Sequence, residues 1–189
     1  MREAGYDGRI TLIGAERHLP YDRPPLSKAV LLKQQSVADC ALAPENFYRD
    51  QHIDVRLDTE VVAIHRELQN VQLASGERLP YGRLLLCTGA APRQLRVPGA
   101  ELQGVTVLRT ADDAERLAQL LVPGQRIVLI GGGFIGLEAA ASAVAAGCEV
   151  TVLEAAERLL MRNVPAAIAA VVEARHRAAG VHFVFNARI

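Results

Sequence analysis

The sequence predicts an α/β protein made of two Rossmann-like dinucleotide-binding units, a partial one with a small antiparallel meander over residues 1–108 and a second, also partial, over 109–189. Three observations predict it. Strand-like and helix-like segments alternate from Arg126 onward, a glycine-rich turn joins the first such pair, and acids, Glu16 and Glu154, follow two separate apolar strands. Regular alternation of this kind implies a parallel sheet with helical crossovers.

Taken in order, Arg9–Gly14 (RITLIG) is a short β-branched and aliphatic run ended by glycine, which reads as a buried strand. Pro24 and Pro25 forbid regular structure until a short helix expected near Leu26–Leu32. A second short helix is expected after Pro44. Period-2 segments at Ile53–Arg56, Thr59–His65 and Val71–Ala74 then suggest an antiparallel meander, with Ser75-Gly76 as a turn. The apolar run Leu84–Cys87, closed by Thr88-Gly89, reads as another buried strand. From Ala90 to Gly104 periodicity is lost, and the crossover between units falls there or slightly after. Thr110 with Asp113 forms a capping-box pattern opening a helix to about Leu121. Thereafter the pattern predicts strand 126–130, helix 134–146, strand 149–153, helix 165–178 and strand 181–185.

Composition restricts the partners. Lys plus Arg and Asp plus Glu are balanced at 21 each, so no net charge recruits nucleic acid or an anionic membrane. The apolar stretches Arg126–Ile130 and Ala139–Ala146 fall far short of the ~18 to 20 residues of a membrane span, and the first residues lack the apolar core of a secretion signal. A cytoplasmic location is the resulting expectation. The cysteines at 40, 87 and 148 form no C-x-x-C or C-x4-C pair, so neither a disulfide framework nor a metal site is expected.

The strongest local signal is IVLIGGGFIGLEAA. Gly131, Gly133 and Gly136 stand in G-x-G-x-x-G spacing, directly after a strand and directly before the helix that begins with Phe134 and Ile135. Gly131 permits the tight turn, Gly133 lets backbone approach a pyrophosphate, and Gly136 allows helix and strand to pack closely. The helix N-terminus then offers free N–H groups to the phosphates. Glu154 ends the next strand, 23 residues after Gly131, near the ~20 expected for the acid that accepts hydrogen bonds from a ribose diol. A carboxylate there repels a 2′-phosphate, which favours NAD over NADP. RITLIG followed by Glu16 reads as the second strand of another such unit.

The segments GRITLIGAERHLPYDRPPLSK, LLLCTGAAPR, Leu108–Thr110 and GGGFIGLE resemble the ferredoxin and rubredoxin reductases across essentially the whole chain. The resemblance implies FAD and NAD as cofactors. It also implies electron flow from NADH through FAD to a small iron–sulfur protein, a ferredoxin or rubredoxin, that serves an oxygenase. It puts Glu16 on the FAD adenosine ribose, Val61 beside the adenine, Arg23 and Lys28 on the flavin side, Thr88 and Gly89 at a strand end passing the cofactor, and Arg109 at the crossover. The resemblance also implies that Lys28 pairs with Glu138 near the flavin and that Phe134 takes the aromatic position that covers the flavin face in relatives.

A first glycine motif is expected ~20 to 30 residues before the strand at Arg9, and only eight residues precede it. The chain is therefore expected to be a piece of the full reductase that holds FAD weakly. An NADH oxidase or nitrite reductase flavin subunit shares the plan, and a non-catalytic truncated product or a nucleotide-binding module is the alternative from another class. Oligomeric state stays open.

Overall fold

β-branched and aliphatic side chains build the first strand, β1 (Ile10–Ile13), which pairs in parallel with β2 (Ile53–Arg56), Ile10 opposite Ile53 and Ile13 opposite Arg56. The computed structural model describes residues 1–188, and they fall into two compact units. The first unit comprises Met1–Asp22 and Cys40–Ala91. Besides β1 and β2 it contains the short helix α1 (Glu45–Asp50) and an antiparallel meander of β3 (Val61–His65), β4 (Asn70–Leu73) and β5 (Arg78–Pro80). Ser75-Gly76 closes the β4–β5 turn, where Gly76 adopts φ 89°, a conformation that favours glycine. Val71 and Leu73 on alternate positions of β4 are buried, with Cys40 and Tyr48 also in this unit's core.

Three elements differ from expectation here. Ile53–Arg56 is not a meander strand, because its edge is taken by β1 in parallel. The third meander strand is Arg78–Pro80 instead. Leu84–Cys87 forms no strand: Leu84, Leu85 and Leu86 are exposed to 40%, 81% and 61%. An apolar run becomes a strand only when another edge accepts its backbone groups, and this one pairs with no strand among the described residues.

The second unit comprises Arg23–Asp39 and the chain from Pro92 onward. Its parallel sheet runs β6 (Arg126–Ile130), β7 (Glu149–Leu153), β8 (His182–Val184), with α3 (Phe134–Ala145) and α4 (Ala166–Ala178) as crossovers. One face of the sheet is covered. Val150, Val152 and Phe183 are buried, and α3 packs on β6 and β7. The other face is open, with Val128 60% and Ile130 54% exposed. Helix α2 (Ala111–Leu120) buries Ala111, Ala114, Leu117 and Ala118, one face at helical spacing. Its N-terminus carries the anticipated capping box: the Asp113 N–H donates to Thr110 Oγ1, and the Thr110 N–H donates to Asp113 Oδ2.

Residues Leu26–Leu32 are not an α-helix. Pro24–Ser27 is a 3₁₀ turn in which the Leu26 and Lys28 N–H groups donate to Arg23 and Pro25 carbonyls, and left-handed Lys33 (φ 56°) ends the turns that follow. The prolines stand at the first positions, where a helix would tolerate them, and tertiary burial of Leu26, Val30 and Leu31 fixes the compact alternative. Among the described residues, no helix is long and apolar enough to cross a membrane.

Candidate functional site

The site of the second unit is built around the turn between β6 and α3. Gly131 stands at φ 107°, a region closed to most side chains, and its N–H donates to the Leu153 carbonyl of β7. A Cβ on Gly136 would lie under 3.0 Å from the Gly131 carbonyl oxygen, so close packing of helix on turn requires glycine there. Gly133, the N-cap of α3, has nothing within 4 Å of where a Cβ would stand. Its backbone therefore borders open space at the positive end of a helix 12 residues long, and no side chain caps the N–H groups there. An anionic diphosphate fits this cradle, because the donors are free and no side chain blocks their approach.

Glu154 follows β7 directly. Its Oε2 accepts from the Gly132 N–H at 2.7 Å and its Oε1 from the Ala156 N–H at 2.7 Å, so the carboxylate is fastened beside the glycine turn. Two carboxylate oxygens offer about four acceptor sites, which leaves capacity for two ribose hydroxyls.

A recess of about 260 Å³ lies next to the helix start, lined by residues of Arg23–Lys28, Leu108, Arg109, Phe134, Ile135 and Glu138. Lys28 Nζ stands 2.8 Å from Glu138 Oε2, and Ser27 Oγ donates to the same oxygen at 2.5 Å. Burial pushes the Glu138 carboxyl up, but Lys28 and Ser27 outweigh it and hold the carboxyl below its ordinary value. The turn carrying Lys28 is tied to α3 a second time, where Ser142 Oγ donates to the Ser27 carbonyl at 2.8 Å. Arg23 Nη1 donates to the Arg109 carbonyl at 2.7 Å, and the Arg109 N–H in turn donates to Asp113 Oδ2 at 3.1 Å. Phe134 and Ile135 are 55% and 52% exposed on the first turn of α3.

The remaining residues singled out by sequence lie in the first unit. Glu16 follows β1 and accepts from the Tyr21 hydroxyl at 2.5 Å. The loop around it is bound to the chain entering β3, through Asp58 N–H to Glu16 O and Thr59 N–H to Gly14 O, and Val61 begins that strand with a partly exposed side chain. Thr88 and Gly89 stand on exposed, irregular chain, Gly89 at φ 65°. Sequence reasoning missed Ser27 and Gly132. The serine gives no pattern of its own, whereas the run of three glycines at 131–133 exceeds what G-x-G-x-x-G demands and marks Gly132.

A family model described as pyridine nucleotide-disulphide oxidoreductase matches residues 1–189. A rubredoxin-NAD(+) reductase of Pseudomonas putida is 43% identical over 189 residues, 100% of this chain and 49% of the relative. Among solved structures, a ferredoxin reductase from Rhodopseudomonas palustris aligns with TM-score 0.95 and 45% identity over 99% of this chain and 46% of its own. The covalent putidaredoxin reductase–putidaredoxin complex aligns with TM-score 0.93 and 39% identity over 100% of this chain and 46% of that one. The chain thus spans about half the length of these relatives.

Proposed function

Since the chain belongs to the pyridine nucleotide-disulphide oxidoreductase family, we propose that it is part of an NADH-dependent flavoprotein reductase that delivers electrons to a ferredoxin or rubredoxin. The observation that carries this reading is the open glycine cradle at the start of α3 with Glu154 fastened beside it. When bound, FAD would supply a hydride acceptor for NADH and a donor of single electrons. The chain's own contributions are binding and orientation. The Gly133 cradle receives the nicotinamide dinucleotide's diphosphate, and Glu154 accepts hydrogen bonds from its adenosine ribose.

Lys28 and Glu138 form a charged pair on the rim of the recess beside that helix start, and we assign it the task of setting the electrostatics next to the nicotinamide. Phe134 and Ile135 offer the apolar wall. Glu16, Val61, Arg23, Thr88, Gly89 and Arg109 are assigned to FAD, with Glu16 on the adenosine ribose. Residues 1–108 are accordingly read as the flavin part and 109–189 as the nicotinamide part. The relatives' names support a small iron–sulfur protein as partner, since rubredoxin, ferredoxin and putidaredoxin recur in them. Use of the NADH pool favours a cytoplasmic location.

The test is calorimetric titration of the purified chain with NADH, followed by NADH-driven reduction of a ferredoxin and a rubredoxin by the full-length protein. Saturable NADH binding and reduction of either acceptor are expected. Absence of nucleotide binding would overturn the reading of the cradle, and binding without electron transfer to either acceptor would overturn the partner.

A further inference from the structure

We propose that Gly132, the middle glycine of the turn, is a positioning residue for nucleotide discrimination. Its missing side chain lets the Glu154 carboxylate lie against the turn, oriented toward a free ribose 2′-hydroxyl. This inference rests on the reading of Glu154 as the ribose acid.

Gly132 is not among the glycines with positive φ, so its backbone conformation does not demand glycine. Its surroundings do. A Cβ there would meet Leu159 Cδ2 at 2.5 Å, Glu154 Oε2 at 3.1 Å and Glu154 Cβ at 3.4 Å. Leu159 is fully buried and cannot easily retreat. The loop that carries it is fastened twice. Arg158 donates to the carbonyls of Leu159, Met161 and Val164, and the Leu160 N–H donates to the Gly132 carbonyl at 3.1 Å.

Gly132 therefore holds this arrangement through both backbone groups. Its carbonyl anchors the loop after β7, and its N–H anchors the acid at 2.7 Å. Added bulk would displace Leu159, the carboxylate, or both. A carboxylate held in place beforehand loses little conformational freedom when a ribose arrives, and it keeps its charge where a 2′-phosphate would sit. Once swung away, it neither rewards the diol nor repels the phosphate.

The experiment compares dissociation constants for NADH and NADPH, by calorimetry on the full chain, in wild type, Gly132→Ala, Leu159→Ala and Gly132→Ala/Leu159→Ala. Thermal melts report folding in parallel. The double variant removes the Leu159 overlap while keeping the Cβ against Glu154. Expected is a fall of about tenfold or more in the NADH preference in both variants that carry Ala at 132, with Leu159→Ala near wild type. A wild-type preference in either of those variants would overturn the proposal. So would an equal loss in Leu159→Ala, or a double variant that does not fold, since both would reduce Gly132 to packing of the loop. A wild-type chain that binds NADH and NADPH alike, or binds neither, instead defeats the reading of Glu154 itself.

Discussion

Replacing Gly136 by alanine should destabilise the second unit while the same change at Gly133 should not. The two residues stand three apart in one turn. At Gly136 the new Cβ would fall under 3.0 Å from the Gly131 carbonyl oxygen, where ordinary contact begins near 3.4 Å. The opposing atom is backbone, so no rotamer change relieves it. Either the turn opens at Gly131 or α3 moves outward, and the latter separates Leu137, Ala140 and Ala143 from the face they bury against. Overpacking of this kind costs about 3 kcal/mol at the upper end, and alanine returns about 1 kcal/mol in helix propensity, leaving a net loss of about 2 kcal/mol. For a chain of this size that corresponds to a fall in Tm of roughly 4 to 8 °C. At Gly133 a Cβ meets nothing within 4 Å and φ is −83°, so Gly133→Ala should melt within about 1 °C of wild type. It should still lose NADH affinity, because the methyl occupies space left for the diphosphate. Far-UV circular dichroism melts and NADH titrations of both variants decide the matter. Equal melting of Gly136→Ala and wild type, or equal destabilisation by the two changes, would refute the reasoning.

Three other outcomes are expected. Wild-type chain should bind NADH roughly a hundredfold tighter than NADPH, and Glu154→Gln should shrink that gap chiefly by admitting NADPH; matched affinities in wild type would refute it. Glu138 has a folded-state pKa below its ordinary value of 4.5, so its contribution to stability is present above that value and lost as pH falls through the lower folded pKa. In Lys28→Met the burial effect is left less opposed, so the Glu138 carboxyl should titrate at higher pH, and a carboxyl-carbon NMR titration identical to wild type would contradict the pairing. Thr110→Ala removes the side-chain acceptor of the Asp113 N–H and should cost about 1 kcal/mol, read as a lower urea midpoint with unchanged slope.

The legible parts of the fold are those whose cause is local. Strands β6 and β7 and the start of α3 fall where the periodicity puts them, because the glycine turn, the apolar strand runs and the helical face are all encoded within about thirty residues. The Thr110 cap is legible for the same reason, since donor and acceptor are three residues apart. Ile53–Arg56 shows the opposite case. Its alternation suits an antiparallel or a parallel neighbour equally, and the partner it takes, Ile10–Ile13, lies more than forty residues earlier. Leu84–Cys87 is misread for a related reason: hydrophobicity announces a wish for burial, while a strand needs an edge to bind.

In the candidate site, Gly131, Gly133, Gly136 and Glu154 follow from spacing and chemistry. The Lys28–Glu138 pair joins residues 110 positions apart and was legible only through resemblance. Gly132 was hidden because the motif leaves its position free. Yet the three adjacent glycines have three separate causes. Gly131 answers a dihedral at φ 107°, Gly132 answers Leu159 and the Glu154 carboxylate, and Gly133 faces open space. Alanine at each should therefore disturb something different: backbone strain and stability at 131, nucleotide choice at 132, and nucleotide affinity alone at 133. If all three substitutions produced one common defect, the turn would be a single packed unit, and the assignment of separate tasks to its residues would fail.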